Sequence, residues 1–393
     1  MGDRVIIAGV GMTPFISPSR SGTYLELGSR AIREALDDAG LDYDAIQQVY
    51  AGYVYGDSTS GQSVVYQVGM SGVPLINVNN NCSTGSSALF CARQLVASGA
   101  VDCALAVGFE QMKPGALGEH WSDRPTPMQR FLDTADTIQG PSEVPMAVRL
   151  FGGAGEEYKR RYGVGDELFA EIAVKARKHA AHNERAIFRE PISIDEVTAA
   201  PHLFGVLTRL QCCPPSCGAA AAIVCSEAFA RRHGLDRTVC IRAQAMTTDG
   251  PETFTARSMM TLVGCEMARA AADQVCSAAG IGPGDLDVVE LHDCFTANEV
   301  LSYEALGLTE EGTTERFVRD GDNTYGGKVV TNPSGGLLSK GHPLGATGLA
   351  QCFELVIQLR HQAGPRQVEG ARLGLAHNIG LGGACVVTLC EAI

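Results

Sequence analysis

An α/β architecture built from two related halves is what the sequence predicts, and three observations carry that prediction. Helical and strand-like segments alternate along most of the 393 residues, with 46 glycines available for tight turns and close helix-on-sheet packing. Residues 31–40 read as an amphipathic helix with a glycine stop, followed by a short acidic turn and a β-rich segment over 41–50. The same phrase returns at residues 271–280 and 281–290. Each half then opens a helix with a polar turn, residues 82–87 before 88–98 and residues 341–348 before 349–359. The predicted organisation is an N-terminal half, 1–112 continued by 208–235, an insertion, 113–207, and a C-terminal half, 236–393.

Composition narrows the function. At 45% hydrophobic and 19% charged residues the chain can bury a large core, which excludes disorder for most of it. Lys and Arg number 31 against 44 Asp and Glu, a net −13, which disfavours binding to nucleic acid. No apolar run approaches the ~18–20 residues that span a bilayer. The apolar stretch 5–10 follows Met1-Gly2-Asp3-Arg4 directly and reads as a first strand. Ile6 stands where a myristoylation signal needs Ser or Thr. A cytoplasmic location is expected. The 14 cysteines lie scattered through apolar segments and read as small hydrophobes in a reducing compartment. Cys212, Cys213 and Cys217 have no distant partner pair, so they are not read as zinc ligands.

The insertion breaks the alternating pattern. It holds Trp121, several prolines and a charged helical stretch, 149–189, with nine Lys/Arg against six Asp/Glu, or +3. That surplus suits a solvated helical face. It equally suits a cap over an anionic cofactor tail, with Arg160 and Arg161 as the candidate contacts.

Four places carry candidate chemistry. Cys82 leaves a strand over 75–81 and precedes small residues that begin a helix, where free N–H groups and the helix dipole favour a thiolate. His292 and Cys294 follow the apolar strand 286–291, at the strand end where α/β sheets build their sites. A metal pair there would lack further ligands. His342 lies on a glycine-rich turn beside Pro343, placed to act as a base. In residues 377–383, before a strand over 384–389, the glycines let backbone N–H groups approach a substrate oxygen, with Gly380 the candidate donor.

Taken in order, Cys82, then His292-Asp293-Cys294-Phe295, then Gly341-His342-Pro343, then Asn378-x-Gly380-x-Gly382, this chain resembles the thiolase superfamily, and within it the sterol carrier protein 2 type. The likeness covers essentially the whole chain and is densest in 298–308, 325–328 and 332–351. Classical thiolases carry Asn-Glu-Ala-Phe at 292–295 and a catalytic cysteine at 378, so the second cysteine has moved to Cys294. Cys217 also departs, standing where the family usually has Asp.

The resemblance implies a five-layer αβαβα fold, at least a homodimer, and coenzyme A thioesters as substrates, with 113–207 as a loop domain over the CoA tail. It implies thiolysis of 3-ketoacyl-CoA in fatty-acid or sterol side-chain degradation. Cys82 would be nucleophile, His342 its base, Cys294 the second acid/base, and Cys82, Gly380, His292 and His342 the oxyanion donors. No metal or redox cofactor is implied. Three rival readings stand beside it. One is a biosynthetic acetoacetyl-CoA thiolase, whose relatives work with a zinc-ribbon acyl-CoA-binding partner. The others are a steroid side-chain retro-aldolase and a non-catalytic lipid-transfer protein. The ending at Ile393 leads us to expect neither a carboxy-terminal sterol carrier domain nor a peroxisomal signal.

Overall fold

The computed structural model describes residues 4–115, 118 and 121–393. Ten strands join in one sheet: β1 (Val5–Met12), β2 (Gln48–Gly52), β3 (Leu75–Val78), β4 (Cys103–Gln111), β5 (Cys217–Ser226), β6 (Val239–Thr247), β7 (Val288–Glu290), β8 (Val330–Thr331), β9 (Leu373–Gly380) and β10 (Ala384–Ala392). Their order is β8-β7-β9-β10-β6-β1-β5-β4-β2-β3. Outward from the β1–β6 junction the two wings repeat one pattern, β1-β5-β4-β2-β3 and β6-β10-β9-β7-β8. In each wing two antiparallel pairs are followed by two parallel ones. Among the described strands, the wings pair with each other through Val5 opposite Ile241 and Ile6 opposite Cys240.

The helices that place the site are α1 (Tyr24–Ala39), α2 (Thr84–Ala97), α3 (Met146–Tyr162), α4 (Asp166–Ala180), α5 (Cys265–Ala279), α6 (Thr296–Ala305) and α7 (Thr347–Leu359). Helix α1 covers the outer face of β1, β4 and β5, and α5 covers β6 and β10. Between the wings lie α2 and α7, each packed against strands of both. These are the five layers αβαβα. Being covered on all sides, α7 is buried almost all round, and its Leu349, Ala350 and Leu355 share a core with Ala88, Leu89 and Ala92 of α2. The repeat phrase falls in α1 and α5, which end at left-handed Gly40 and Gly280, both with φ 65°.

Element ends differ from the sequence reading where polar residues are involved. Helix α2 starts at Thr84 rather than 88, because Thr84–Ser87 are small enough to be buried between the layers. The strand expected over 286–291 is only Val288–Glu290, since the following residues turn into the site. The last strand runs on to Ala392.

Within the insertion, α3 and α4 pack on α6. Lys175 of α4 is buried against Glu299 and donates to Thr331 Oγ1 at 2.6 Å and to Tyr303 Oη at 3.1 Å. No helix among the described residues is long and apolar enough to cross a membrane.

The inner helices meet backbone to backbone at their N-terminal turns. A Cβ on Gly348 would lie 2.2 Å from Ser86 N, and one on Gly345 would lie 2.4 Å from Phe109 O. Gly348→Ala is therefore expected to cost about 1–3 kcal/mol or more through overpacking. Gly284→Ala, with nothing within 4 Å of the added methyl, should stay within about 0.5 kcal/mol of the parent. Urea unfolding of both variants checks this, and equal midpoints would refute the close-packing argument.

Candidate active site

Cys82 sits in the link from β3 to α2. The residue before it, Asn81, is held at φ 51°, a left-handed conformation that asparagine tolerates. Its Nδ2 donates to Leu381 O at 3.0 Å, tying the Cys82 turn to the loop after β9. Cys82 is 6% exposed, and its own N–H and that of Leu381 face the sulfur. The dipole argument led us to expect a thiolate here. Burial overrides it. The thiol is pushed up to about 12, by burial first and by the Glu110 carboxylate second, against those two N–H groups. The resting site holds a thiol.

Two histidines face it in complementary tautomers. His342 N donates to Ser216 Oγ at 3.0 Å, and its Nδ1 lies 2.7 Å from Thr347 Oγ1. The Thr347 hydroxyl donates to Pro343 O at 2.9 Å, so it accepts from the ring. Nδ1 therefore carries the hydrogen, leaving Nε2 with its lone pair. That Nε2 is buried and makes no hydrogen bond among the described residues. At His292 the order is reversed. Asn378 Oδ1 accepts from Ser86 Oγ at 3.0 Å, and Asn378 Nδ2 donates to His292 Nδ1 at 2.9 Å. The His292 hydrogen must then be on Nε2.

The two rings meet edge to face with centroids 5.0 Å apart. Ligand atoms of Cys82, His292 and His342 all lie within 4.8 Å of one another. A thiol and two imidazoles so close can exchange protons, and a soft divalent ion would accept the same donor set. Burial holds His342 down to about 3 and His292 well below the usual histidine range, so both rings are neutral at physiological pH.

Cys294, 4% exposed, begins the turn into α6. The turn is fixed from both sides. Cys213 N donates to Cys294 O at 2.9 Å, and Asp293 Oδ1 and Oδ2 accept from Leu337 N at 2.7 Å and Leu338 N at 3.3 Å. Burial pushes the Cys294 thiol up, and so do the nearby thiols of Cys213 and Cys82. The structure thus brings Cys82, His292, Cys294 and His342 together.

Gly380 packs its Cα against Asn80 O, where a Cβ would come within 2.1 Å. The N–H facing the sulfur belongs to Leu381, one residue on. Arg160 and Arg161 are not brought to the cluster. Arg161 pairs with Glu311 at 2.7 Å beyond the C-terminal end of α6, whose ten residues span about 15 Å from the Cys294 end. Cys385 is fully buried in β10 opposite Ile379. Cys217 lies inside β5, its Sγ donating to Met112 O at 3.5 Å. Sequence reasoning missed Thr347, Ser86, Ser216, Glu110 and Cys213 as site-building groups, and named Asn378 only as a motif position. Only Thr347, five residues after His342 at a helix start, left a local signal.

Comparison with known proteins gives the family. The thiolase N-terminal domain model matches residues 5–228, and the thiolase C-terminal domain-like model matches residues 250–390. The chain therefore belongs to the thiolase family. Within that family it is 53% identical over 390 residues to sterol carrier protein 2 of Rattus norvegicus, covering 98% of this chain and 71% of the relative. In fold it is similar to the Ltp2-ChsH2(DUF35) aldolase, with a TM-score of 0.84 at 23% identity, covering 100% of this chain and 98% of that one. It is also similar to human mitochondrial 3-ketoacyl-CoA thiolase in complex with CoA, with a TM-score of 0.76 at 18% identity and the same coverage.

The neutral histidines make a pH prediction. His179, His342 and His377 are all held down to about 3 by burial, and His292 is lowered too. Below about pH 6.5 the unfolded chain binds protons on these rings while the folded protein does not. Folding stability must then fall as pH drops from about 6.5 towards 3. His377, fully buried with neither ring nitrogen paired among the described residues, is the cleanest reporter. His377→Leu should make the slope shallower by about 1.4 kcal/mol per pH unit in urea unfolding at pH 4.5–6. An unchanged slope would refute the neutral-ring reading.

Proposed function

We propose that this chain is a 3-ketoacyl-CoA thiolase, an acyl-CoA:acetyl- or propanoyl-CoA C-acyltransferase. The observation that carries the reading is the pair of opposed tautomers around Cys82. His342 Nε2 offers a lone pair to take the thiol proton, while His292 Nε2–H offers a hydrogen bond to a developing oxyanion. A binding-only protein has no use for that arrangement.

In the proposed reaction the Cys82 sulfur attacks the keto carbon as its proton passes to His342 Nε2. The alkoxide is held by backbone N–H groups at Cys82 and at Gly380 or Leu381. The C2–C3 bond breaks, leaving an acyl group on Cys82 and an enolate whose oxygen receives hydrogen bonds from His292 and the newly protonated His342. Cys294 gives its proton to C2, releasing acetyl- or propanoyl-CoA. The Cys294 thiolate then takes the proton of incoming CoA, whose sulfur attacks the acyl group and expels the Cys82 thiolate, which takes its proton back from His342. The reaction is redox-neutral, and as drawn it calls on no metal or cofactor beyond coenzyme A itself.

Run in reverse, the same residues would serve acetoacetyl-CoA synthesis. For partners, we infer a second copy of the chain. The free edge strand β3 exposes Ile76, with exposed Tyr66 and Met70 in the preceding segment. A zinc-ribbon acyl-CoA-binding protein remains a proposed second partner, in keeping with the DUF35 subunit named in the aldolase complex. Residues 113–207, with Arg160 and Arg161, are the proposed cover for the CoA tail.

Two outcomes test the function. Incubation with acetoacetyl-CoA and longer 3-ketoacyl-CoAs without free CoA should leave an acyl group on Cys82, seen by peptide mass mapping. Acylation found only on other cysteines would overturn the mechanism. Cys294→Ala should lower kcat by at least ~10²-fold, as for loss of a general acid/base. Cys385→Ala, in an apolar strand, should cost only about 1 kcal/mol of stability with turnover nearly intact. The opposite pattern would return the second catalytic role to the last loop.

A further inference from the structure

Glu110 stands at the end of β4, 2% exposed, and none of the ion pairs of the described residues includes it. It collects three backbone donors instead. Oε2 accepts from Val54 N at 3.0 Å and from Gly345 N at 3.0 Å, and Oε1 accepts from Tyr55 N at 3.1 Å. Val54 and Tyr55 follow β2, whereas Gly345 belongs to the turn that carries His342. One carboxylate thus joins two loops almost 300 residues apart in sequence.

We propose that Glu110 is a positioning residue of the site, locking the His342 turn to the loop after β2. This rests on the thiolase reading for its consequence in turnover, though the hold itself is independent of it. The geometry makes the carboxylate specific. Three N–H groups converge on two oxygens, and a glutamine would place an amide N–H against one of them. Gly345 has no freedom to compensate, since its backbone lies against Phe109 O, Tyr53 Cα and Gly52 O. A shift there moves His342, three residues away, off the sulfur. A displacement of about 1 Å costs on the order of 10²-fold in rate.

The charge acts on Cys82 as well. The titratable groups within its field are Cys82, Tyr55 and Cys217, and the carboxylate raises the thiol or phenol of each. Burial in turn lifts Glu110 to about 7, against its three N–H donors. With the carboxylate ionised, Cys82 keeps its proton until His342 takes it during attack.

The test compares Glu110→Gln and Glu110→Asp with the parent. In each, kcat and KM for thiolysis are measured, together with the pH dependence of Cys82 alkylation by iodoacetamide, read by peptide mass. Both variants should lose kcat by roughly 10-fold or more with KM changed less than about 2-fold. Glu110→Gln, lacking the charge, should shift Cys82 alkylation to lower pH. Glu110→Asp, keeping it, should leave that profile near the parent's.

Unchanged kcat in Glu110→Gln, or a kcat loss with no movement of the alkylation profile, would overturn the proposal. If Glu110→Gln does not fold, the parent decides. Its plot of log alkylation rate against pH should lose slope near pH 7 as the carboxylate ionises, and a straight limb through pH 7 would overturn it. A parent with no thiolysis at all would sink the functional reading, while its alkylation profile would still judge Glu110.

Discussion

The site depends on one close contact, the backbone-to-backbone meeting of α2 and α7 at their N-terminal turns. Gly85, Gly345 and Gly348 have no side chain to keep the helices apart, and a Cβ on Gly85 would lie 2.8 Å from Gly345 O. Because the turns touch, Cys82 before one helix and His342 before the other open into the same space, although 260 residues separate them. The repeated wings make this contact: each contributes one inner helix, and the inner layer presents two helix starts side by side. The residues His292 and Cys294 then arrive from the end of β7, in the second wing, to complete the constellation.

That closeness buries the site, and burial sets the electrostatics. Burial penalises whichever form is charged, so it lifts the thiols of Cys82 and Cys294 and lowers both imidazoles. The resting site is therefore an assembly of neutral donors and acceptors in which a proton moves only when a substrate supplies somewhere for charge to go. Ionisable carboxylates are used differently. Glu110 and Asp293 both accept backbone N–H groups from turns, so buried polar groups that would otherwise be orphaned fix the loops that carry His342 and Cys294.

Much of this was legible in the sequence. A reactive side chain in a glycine- or asparagine-rich turn at the end of an apolar segment stands out, which is why Cys82, His292, Cys294 and His342 could be named from their neighbours. The paired wings were legible through the two helix-and-glycine phrases, now α1 to Gly40 and α5 to Gly280. What could not be read was anything set by a partner distant in sequence. The tautomer of His292 depends on Asn378, 86 residues on, and the orientation of Asn378 depends on Ser86. The state of Cys82 was misjudged because a helix start implies a dipole, whereas burial appears only once the layers are stacked. The charge of Arg160 and Arg161 was likewise visible in the sequence, but the pairing of Arg161 with Glu311, a partner 150 residues on, was not.

On the proposed mechanism, the position of Asn378 explains why an acid/base thiol would stand at 294. An amide there donates through Nδ2 to His292 and accepts at Oδ1 from Ser86, bridging the β9 loop to the start of α2. A thiol in the same place has no atom pair with which to make that bridge, and His292 would lose the partner that keeps its hydrogen on Nε2. Once residue 378 holds the ring, it cannot also deliver protons. A proton carrier in the proposed reaction must then come from another element, and the turn after β7 offers the Cys294 thiol two residues beyond the histidine being held. His292, Cys294 and Asn378 thus form one interdependent set, and exchanging any of them alone breaks the relation that gives the other two their roles.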